Sequence, residues 1–160
     1  MKVPTDLIEK APRRDDEPLY RLPGLTLLLG WIASTAIPVL GWWFLPAAFG
    51  AAPDWATWGV VGAALVGVIG GLGLLALTPW RPKRSGDLPT LWLAVTTGRI
   101  LLIPAAAFLL YSATHPPDKP YVLGLASAGL VLLAIEVPLI ARAMLRQIAL
   151  EEQRQTPSAP

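Results

Sequence analysis

Residues 55–77 read WATWGVVGAALVGVIGGLGLLAL and contain no charged side chain. A helix needs about 20 predominantly apolar residues to cross the roughly 30 Å of hydrocarbon in a bilayer. This stretch reaches that length with small and aliphatic residues, so it predicts a transmembrane helix. Comparable stretches at about 23–45, 88–111 and 121–145 predict three more.

The composition of the whole chain agrees with that prediction. It has 160 residues, of which 54% are hydrophobic and 15% charged, whereas a soluble domain carries about 25% charged residues. We therefore expect an all-α membrane protein with four transmembrane helices, arranged as two antiparallel hairpins. The transmembrane domain covers 22–146. It follows a charged, proline-containing tail at 1–21 that we expect to be disordered, and it precedes a helical extension and tail at 147–160.

The distribution of basic residues predicts the orientation. Of the 13 lysines and arginines, all but Arg99 and Lys119 lie in the amino-terminal tail, the 79–87 loop or the carboxy-terminal end. Lysine and arginine accumulate on the cytoplasmic side of membrane proteins. Both termini are therefore predicted to be cytoplasmic. Because topology explains the net charge of +2, we expect the bilayer as a partner and no nucleic acid.

Two charged residues fall well inside the predicted spans, Arg99 in the third and Glu136 in the fourth. Counted from the turn between those spans, the two lie within about 3 Å of the same depth. A lone charge at mid-membrane costs about 2.5–3.5 kcal/mol even on the lenient insertion scale, so we predict an ion pair between them. Thr96, one turn before Arg99, could add a hydrogen bond.

This pair has three interpretations. A structural clamp that fixes the register of two helices is the one we favour, because a proton path needs a chain of titratable groups. An ion or proton path through the pair and a contact with a partner subunit stay open.

Small residues recur every fourth position in the second span, at Gly59, Ala63, Gly67 and Gly71. That spacing places them on one helix face, where another helix can approach closely. Packing within the chain is the favoured interpretation, and formation of a homo-oligomer is the alternative.

Prolines stand inside three of the four predicted spans, at Pro38, Pro104 and Pro138. Each lacks a backbone N–H, so a kink is expected at each.

The sequence offers little for catalysis. It has no cysteine and one histidine, and it lacks a glycine-rich phosphate loop, paired carboxylates and a serine–histidine–acid set. We expect no catalytic residue, no metal site and no cofactor, and we predict that the protein is not an enzyme.

Two short segments carry a family resemblance. Thr97-Gly98-Arg99-Ile100-Leu101-Leu102 is similar to the opening of the third span in the ATP synthase subunit I family, and Leu133-Ala134-Ile135-Glu136 resembles its fourth span. That family has four spans with a basic cytoplasmic loop in the middle. Many members have glycine-glutamate where this chain has Gly98-Arg99, with the acid here on the facing helix at Glu136.

The resemblance implies a bacterial inner-membrane protein that assists assembly or stability of the ATP synthase rotor ring, or its magnesium supply. The leading hypothesis is thus a non-catalytic accessory subunit in contact with other membrane subunits. Two alternatives remain. One is a small oligomeric ion transporter or channel with Arg99 and Glu136 in its path. The other is a peripheral structural subunit of a respiratory or photosynthetic complex.

Overall fold

The computed structural model describes residues 19–20, 23–84 and 87–155. Four long helices account for most of them, with two short strands near one end. In chain order the elements are β1 (Leu19–Tyr20), α1 (Gly24–Ala48), α2 (Pro53–Leu77), β2 (Lys83–Arg84), α3 (Asp87–Thr114) and α4 (Asp118–Gln155).

Each helix contains a stretch that is long and apolar enough to cross a membrane. These candidate spans are Gly24–Pro46, Pro53–Leu77, Pro89–Thr114 and Asp118–Ala143. The prediction of an all-α membrane protein with four transmembrane helices is therefore confirmed, and the chain is a multi-pass membrane protein.

Local chemistry explains where the helices begin and end. α2 starts at Pro53 with Asp54 in its first turn, because proline suits the first helical position and a carboxylate favours the positive end of the helix dipole. Thr78, with φ 41°, ends α2 in the left-handed conformation, and His115, with φ 48°, follows α3 in the same way. α4 continues to Gln155, through the segment where the sequence predicts a helical extension.

The prolines inside the spans do not end their helices. Pro38 lies within α1, Pro104 within α3 and Pro138 within α4, and Pro46 is a further proline inside α1. The kinks expected at the first three stay a prediction.

The disorder expected for the tail at 1–21 stays a prediction, since the structure describes only Leu19 and Tyr20 of that tail. Leu19 and Tyr20 form β1, which pairs antiparallel with Arg84 and Lys83 of β2. The loop after α2 supplies the partner strand, so this part of the tail is tied to the bundle by backbone hydrogen bonds. Residues 1–18 and 21 lie outside the described part of the chain.

α2 is the central helix of the bundle. It packs against α1, α3 and α4, and α1 also packs against α4. Within the described residues, the backbones of α3 and α4 do not come close to each other, and each packs against α2 instead. The second predicted hairpin is therefore not a closely packed pair of helices.

Glycines allow the closest approach in the bundle, where α2 meets α4. A Cβ at Gly62 would lie 2.6 Å from the carbonyl oxygen of Tyr121, and a Cβ at Gly124 would collide with the carbonyl of Gly59. Next to this crossing, Ala63, Val66 and Ala128 form the buried hydrophobic core. Small residues thus set how near the two helices can come, as is common between membrane helices.

The contacts also define two ends of the bundle. Gly24 at the start of α1 lies near Pro79 after α2, and this end, with β1, β2, Arg81, Arg142 and Arg146, is called the basic end below. The opposite end carries the 49–52 turn and the 115–117 turn.

Candidate functional site

Arg99 of α3 and Glu136 of α4 form an ion pair inside the spans. The Nη1 atom of Arg99 donates to both carboxylate oxygens of Glu136, at 2.6 Å from Oε1 and 2.5 Å from Oε2. Their side chains are 10% and 20% exposed. A charge-assisted contact of this length is among the stronger hydrogen bonds that proteins make. The structure therefore brings together the two charges that the sequence places at one depth.

A third helix takes part in the site. The Nη2 atom of Arg99 donates to the backbone carbonyl of Gly70 in α2 at 2.9 Å. Thr96, the residue expected to add a hydrogen bond, is not among the partners of the pair in the described chain. One guanidinium thus joins three helices, since its planar fork can serve several acceptors at once.

Gly73 makes the space that the guanidinium occupies. A Cβ at this position would lie 2.8 Å from Nη2 and 2.9 Å from Cζ of Arg99, and it would collide with Nε. Any side chain at position 73 would therefore displace the guanidinium of Arg99 from its contact with α2. We call Arg99, Glu136, Gly70 and Gly73 the clamp.

The clamp lies well inside the membrane. Arg99 is ten residues after Pro89, and Glu136 is seven residues before Ala143, which places them about 15 Å and 10 Å from the basic ends of their spans. A charge at such depth has no water to solvate it, so its partner and hydrogen bonds must come from the protein. The Nε atom of Arg99 is buried and has no acceptor among the described residues.

Sequence reasoning did not connect Gly70 and Gly73 with Arg99, although a signal for that connection exists. Gly70-Gly71-Leu72-Gly73 is the densest run of glycines in the chain, and only Gly71 belongs to the stripe at spacing four. Gly73 faces Arg99 directly, whereas Gly70 meets Arg99 only through its backbone carbonyl. A glycine that lies outside the spacing-four stripe and at the depth of Arg99 is the sequence feature that indicates this contact.

The stripe of small residues receives side chains of α1. A Cβ at Gly71 would lie 2.8 Å from the Trp31 ring, and a Cβ at Gly59 or Gly67 would collide with Trp42 or Thr35. The indole N–H of Trp31 also donates to the carbonyl of Gly67 at 2.8 Å. Ala63, the remaining member, lies in the hydrophobic core. The stripe is therefore occupied within the chain and leaves no room there for a second copy.

Further polar contacts hold the other helices near the opposite end. Trp42 Nε1 donates to the Ser127 hydroxyl at 2.9 Å and so links α1 to α4. Tyr121 of α4 donates to the Ala107 carbonyl of α3 at 3.0 Å, and the Tyr111 hydroxyl lies 2.6 Å from Asp118. α3 is thus fastened to α4 by side chains at two levels, the clamp and these tyrosines.

The described residues contain no group of three or more histidine, cysteine, aspartate or glutamate side chains that could hold a metal ion. The outward surfaces are apolar instead. Only 6% of the α3 span is buried inside the chain, and large side chains such as Leu101 and Phe108 are exposed along it. Such a surface suits contact with lipid or with another membrane helix.

Comparison with protein-family models, with curated proteins and with solved structures finds no match for this chain.

Proposed function

We propose that this protein is a non-catalytic membrane subunit that assembles with other membrane proteins. The observation that carries the proposal is the clamp, in which the charges of Arg99 and Glu136 pair with each other. Both carboxylate oxygens of Glu136 accept hydrogen bonds from Arg99, and Arg99 also binds the carbonyl of Gly70. An ion pair whose groups bind each other and a backbone carbonyl is better suited to joining helices than to conducting ions.

The surface of α3 supports the same proposal. It contacts α2, β2 and the side chains of α4 described above, and little of its span is buried by them. The remaining surface offers exposed leucine, isoleucine and phenylalanine side chains to the membrane. An accessory subunit needs such an uncovered helix to dock against its complex.

The first partner to test is the rotor ring of bacterial ATP synthase, by the resemblance of 97–102 and 133–136 to the subunit I family. Within this proposal the protein lies in the bacterial inner membrane with both termini in the cytoplasm. The basic residues gathered at one end of the bundle support that orientation. Assistance with rotor assembly is the role that a bundle held together by the clamp supports best, ahead of magnesium supply.

Purification of the tagged protein in mild detergent, with mass spectrometry of what accompanies it, tests the proposal. We expect the wild-type protein to be purified with ATP synthase membrane subunits in reproducible stoichiometry. A folded double variant, Arg99→Gln with Glu136→Gln, should be purified with the same subunits in the same amounts. An unrelated four-span protein with the same tag is the control. Recovery of a different complex in fixed stoichiometry would retain the accessory role and discard the ATP synthase partner.

Transport by the chain alone is the rival outcome. Purified protein in liposomes should show no ion flux above that of empty vesicles. Flux that the Arg99→Gln and Glu136→Gln double variant abolishes would overturn the proposal, because the pair would then lie in a conducting path.

A further inference from the structure

A cavity of about 430 Å³ lies at the opposite end of the bundle from the basic residues. It is bounded by the carboxy-terminal half of α1, the 49–52 turn, the start of α2 and the amino-terminal half of α4. The residues that line it include Pro38, Trp42, Pro46, Phe49 and Ser127. The volume falls in the range of sites that bind small organic molecules.

The wall of the cavity is almost entirely apolar. The hydroxyl of Ser127 is already used, because it accepts from the Trp42 indole at 2.9 Å and donates to the Gly124 carbonyl at 3.0 Å. A polar group placed in the cavity would lose its water without gaining these partners, which is unfavourable. The chemistry of the wall therefore selects a hydrocarbon ligand.

The position of the cavity in the span identifies the source of that hydrocarbon. Pro46 ends the candidate span of α1, and Pro38 lies eight residues deeper, which is about 12 Å along the helix. The hydrocarbon of one leaflet is about 15 Å thick, half of the whole core. The cavity thus runs beside the acyl chains of one leaflet over most of their depth.

We propose that this cavity binds one acyl chain of a phospholipid from that leaflet. The chain would enter beside the exposed side chains of Leu45 and Phe49 and lie against Trp42, with its headgroup outside at the level of the 49–52 turn. Retention of a lipid there would fill the space between α1 and α4 that the side chains leave open.

Gly41 keeps part of this space open and provides the test. It lines the cavity, and a Cβ added to it would meet nothing within 4 Å. The Cβ of Gly41→Leu therefore meets no protein atom, and we expect the rest of the leucine side chain to take up part of the cavity. Gly129→Leu is the matched control, because Gly129 also has open space around its Cβ position and does not line the cavity.

The experiment uses the whole protein in vesicles of phosphatidylethanolamine and phosphatidylglycerol. A trace of phosphatidylcholine with a photoreactive diazirine near the end of one acyl chain is the probe. After irradiation, labelled peptides are quantified by mass spectrometry. We expect labelling of 38–49 and 127–131 to exceed severalfold that of 100–109 on the exposed surface of α3. Gly41→Leu should bring it down to the α3 level, and Gly129→Leu should leave it unchanged.

Equal labelling of the cavity and of α3 in the wild-type protein would overturn the proposal, and this comparison needs no variant to fold. Labelling that survives Gly41→Leu, in protein with unchanged helix content, would also overturn it. A competition experiment gives a third contradicting outcome. If an isoprenoid lipid lowers the labelling of the cavity and excess phospholipid does not, the occupant belongs to a different lipid class.

Discussion

Arg99 of α3 is buried because two other helices, α4 and α2, supply its surroundings. α4 provides the opposite charge, α2 provides a carbonyl acceptor, and Gly73 provides the space. Removing one partner of a buried pair leaves an uncompensated charge, which is the costly event, whereas removing both is much less so. Each member of the clamp should therefore depend on the others.

Gly73→Ala should destabilise the protein by about 1–3 kcal/mol, because the new methyl group must push the guanidinium away from the Gly70 carbonyl. Unfolding in detergent, followed by circular dichroism, measures the change. Gly98→Ala is the control, since a Cβ at Gly98 meets nothing within 4 Å, and it should be neutral or stabilising by up to about 1 kcal/mol.

The Gly73 effect should also depend on the arginine. In an Arg99→Gln background the side chain that the methyl group meets is shorter, so Gly73→Ala should cost clearly less than in the wild-type chain. The same cost in both backgrounds would show that Gly73 packs against something other than Arg99.

At the level of the helices, α2 can pack centrally because glycines lie on more than one of its faces. One set receives the tryptophans of α1, and another allows the backbone of α4 to approach. Hydrophobic burial alone does not drive association between helices in lipid, so close packing and specific hydrogen bonds carry more of the stability.

Two glycines of α4, Gly124 and Gly129, test this directly, because they lie on the same helix and differ in what surrounds them. Gly124→Ala should lower stability by about 1–3 kcal/mol, because its Cβ meets the backbone of Gly59 and only a shift of a helix can relieve it. Gly129→Ala, with nothing near its Cβ, should not. Thermal unfolding of the two variants in one detergent gives the comparison, and equal midpoints would contradict the close α2–α4 crossing.

At the level of the whole molecule, four spans and a basic end determine how the chain sits in the membrane. β1 and β2 pair at that end, so the tail before α1 and the loop after α2 lie on the same side. With an even number of spans, both termini then face one compartment.

Cysteine labelling tests the orientation cleanly, because the chain has no native cysteine. Lys119→Cys and Arg81→Cys each remove one positive charge from an exposed position, at the opposite and the basic end respectively. In intact spheroplasts, a membrane-impermeant maleimide should label Lys119→Cys, and it should label Arg81→Cys only after lysis. The reverse pattern would invert the proposed topology.

The sequence was sufficient for the features that depend on residue type and length. Apolar stretches long enough to span a bilayer predicted the four helices, and equal distances from one turn placed Arg99 and Glu136 at one depth. Contacts made by backbone atoms cannot be predicted from residue type and segment length. The carbonyl of Gly70 as an acceptor, the pairing of Leu19 and Tyr20 with β2, and the separation of α3 from α4 all depend on how the helices pack.

The clamp itself is tested most directly by a double-mutant cycle on Arg99→Gln and Glu136→Gln, with reversible unfolding in detergent as the measurement. Each single variant should lose stability, and the double variant should lose less than the sum of the two, with a coupling free energy of about 1–3 kcal/mol. Single effects that add to within about 0.5 kcal/mol would contradict an energetic pairing of these residues.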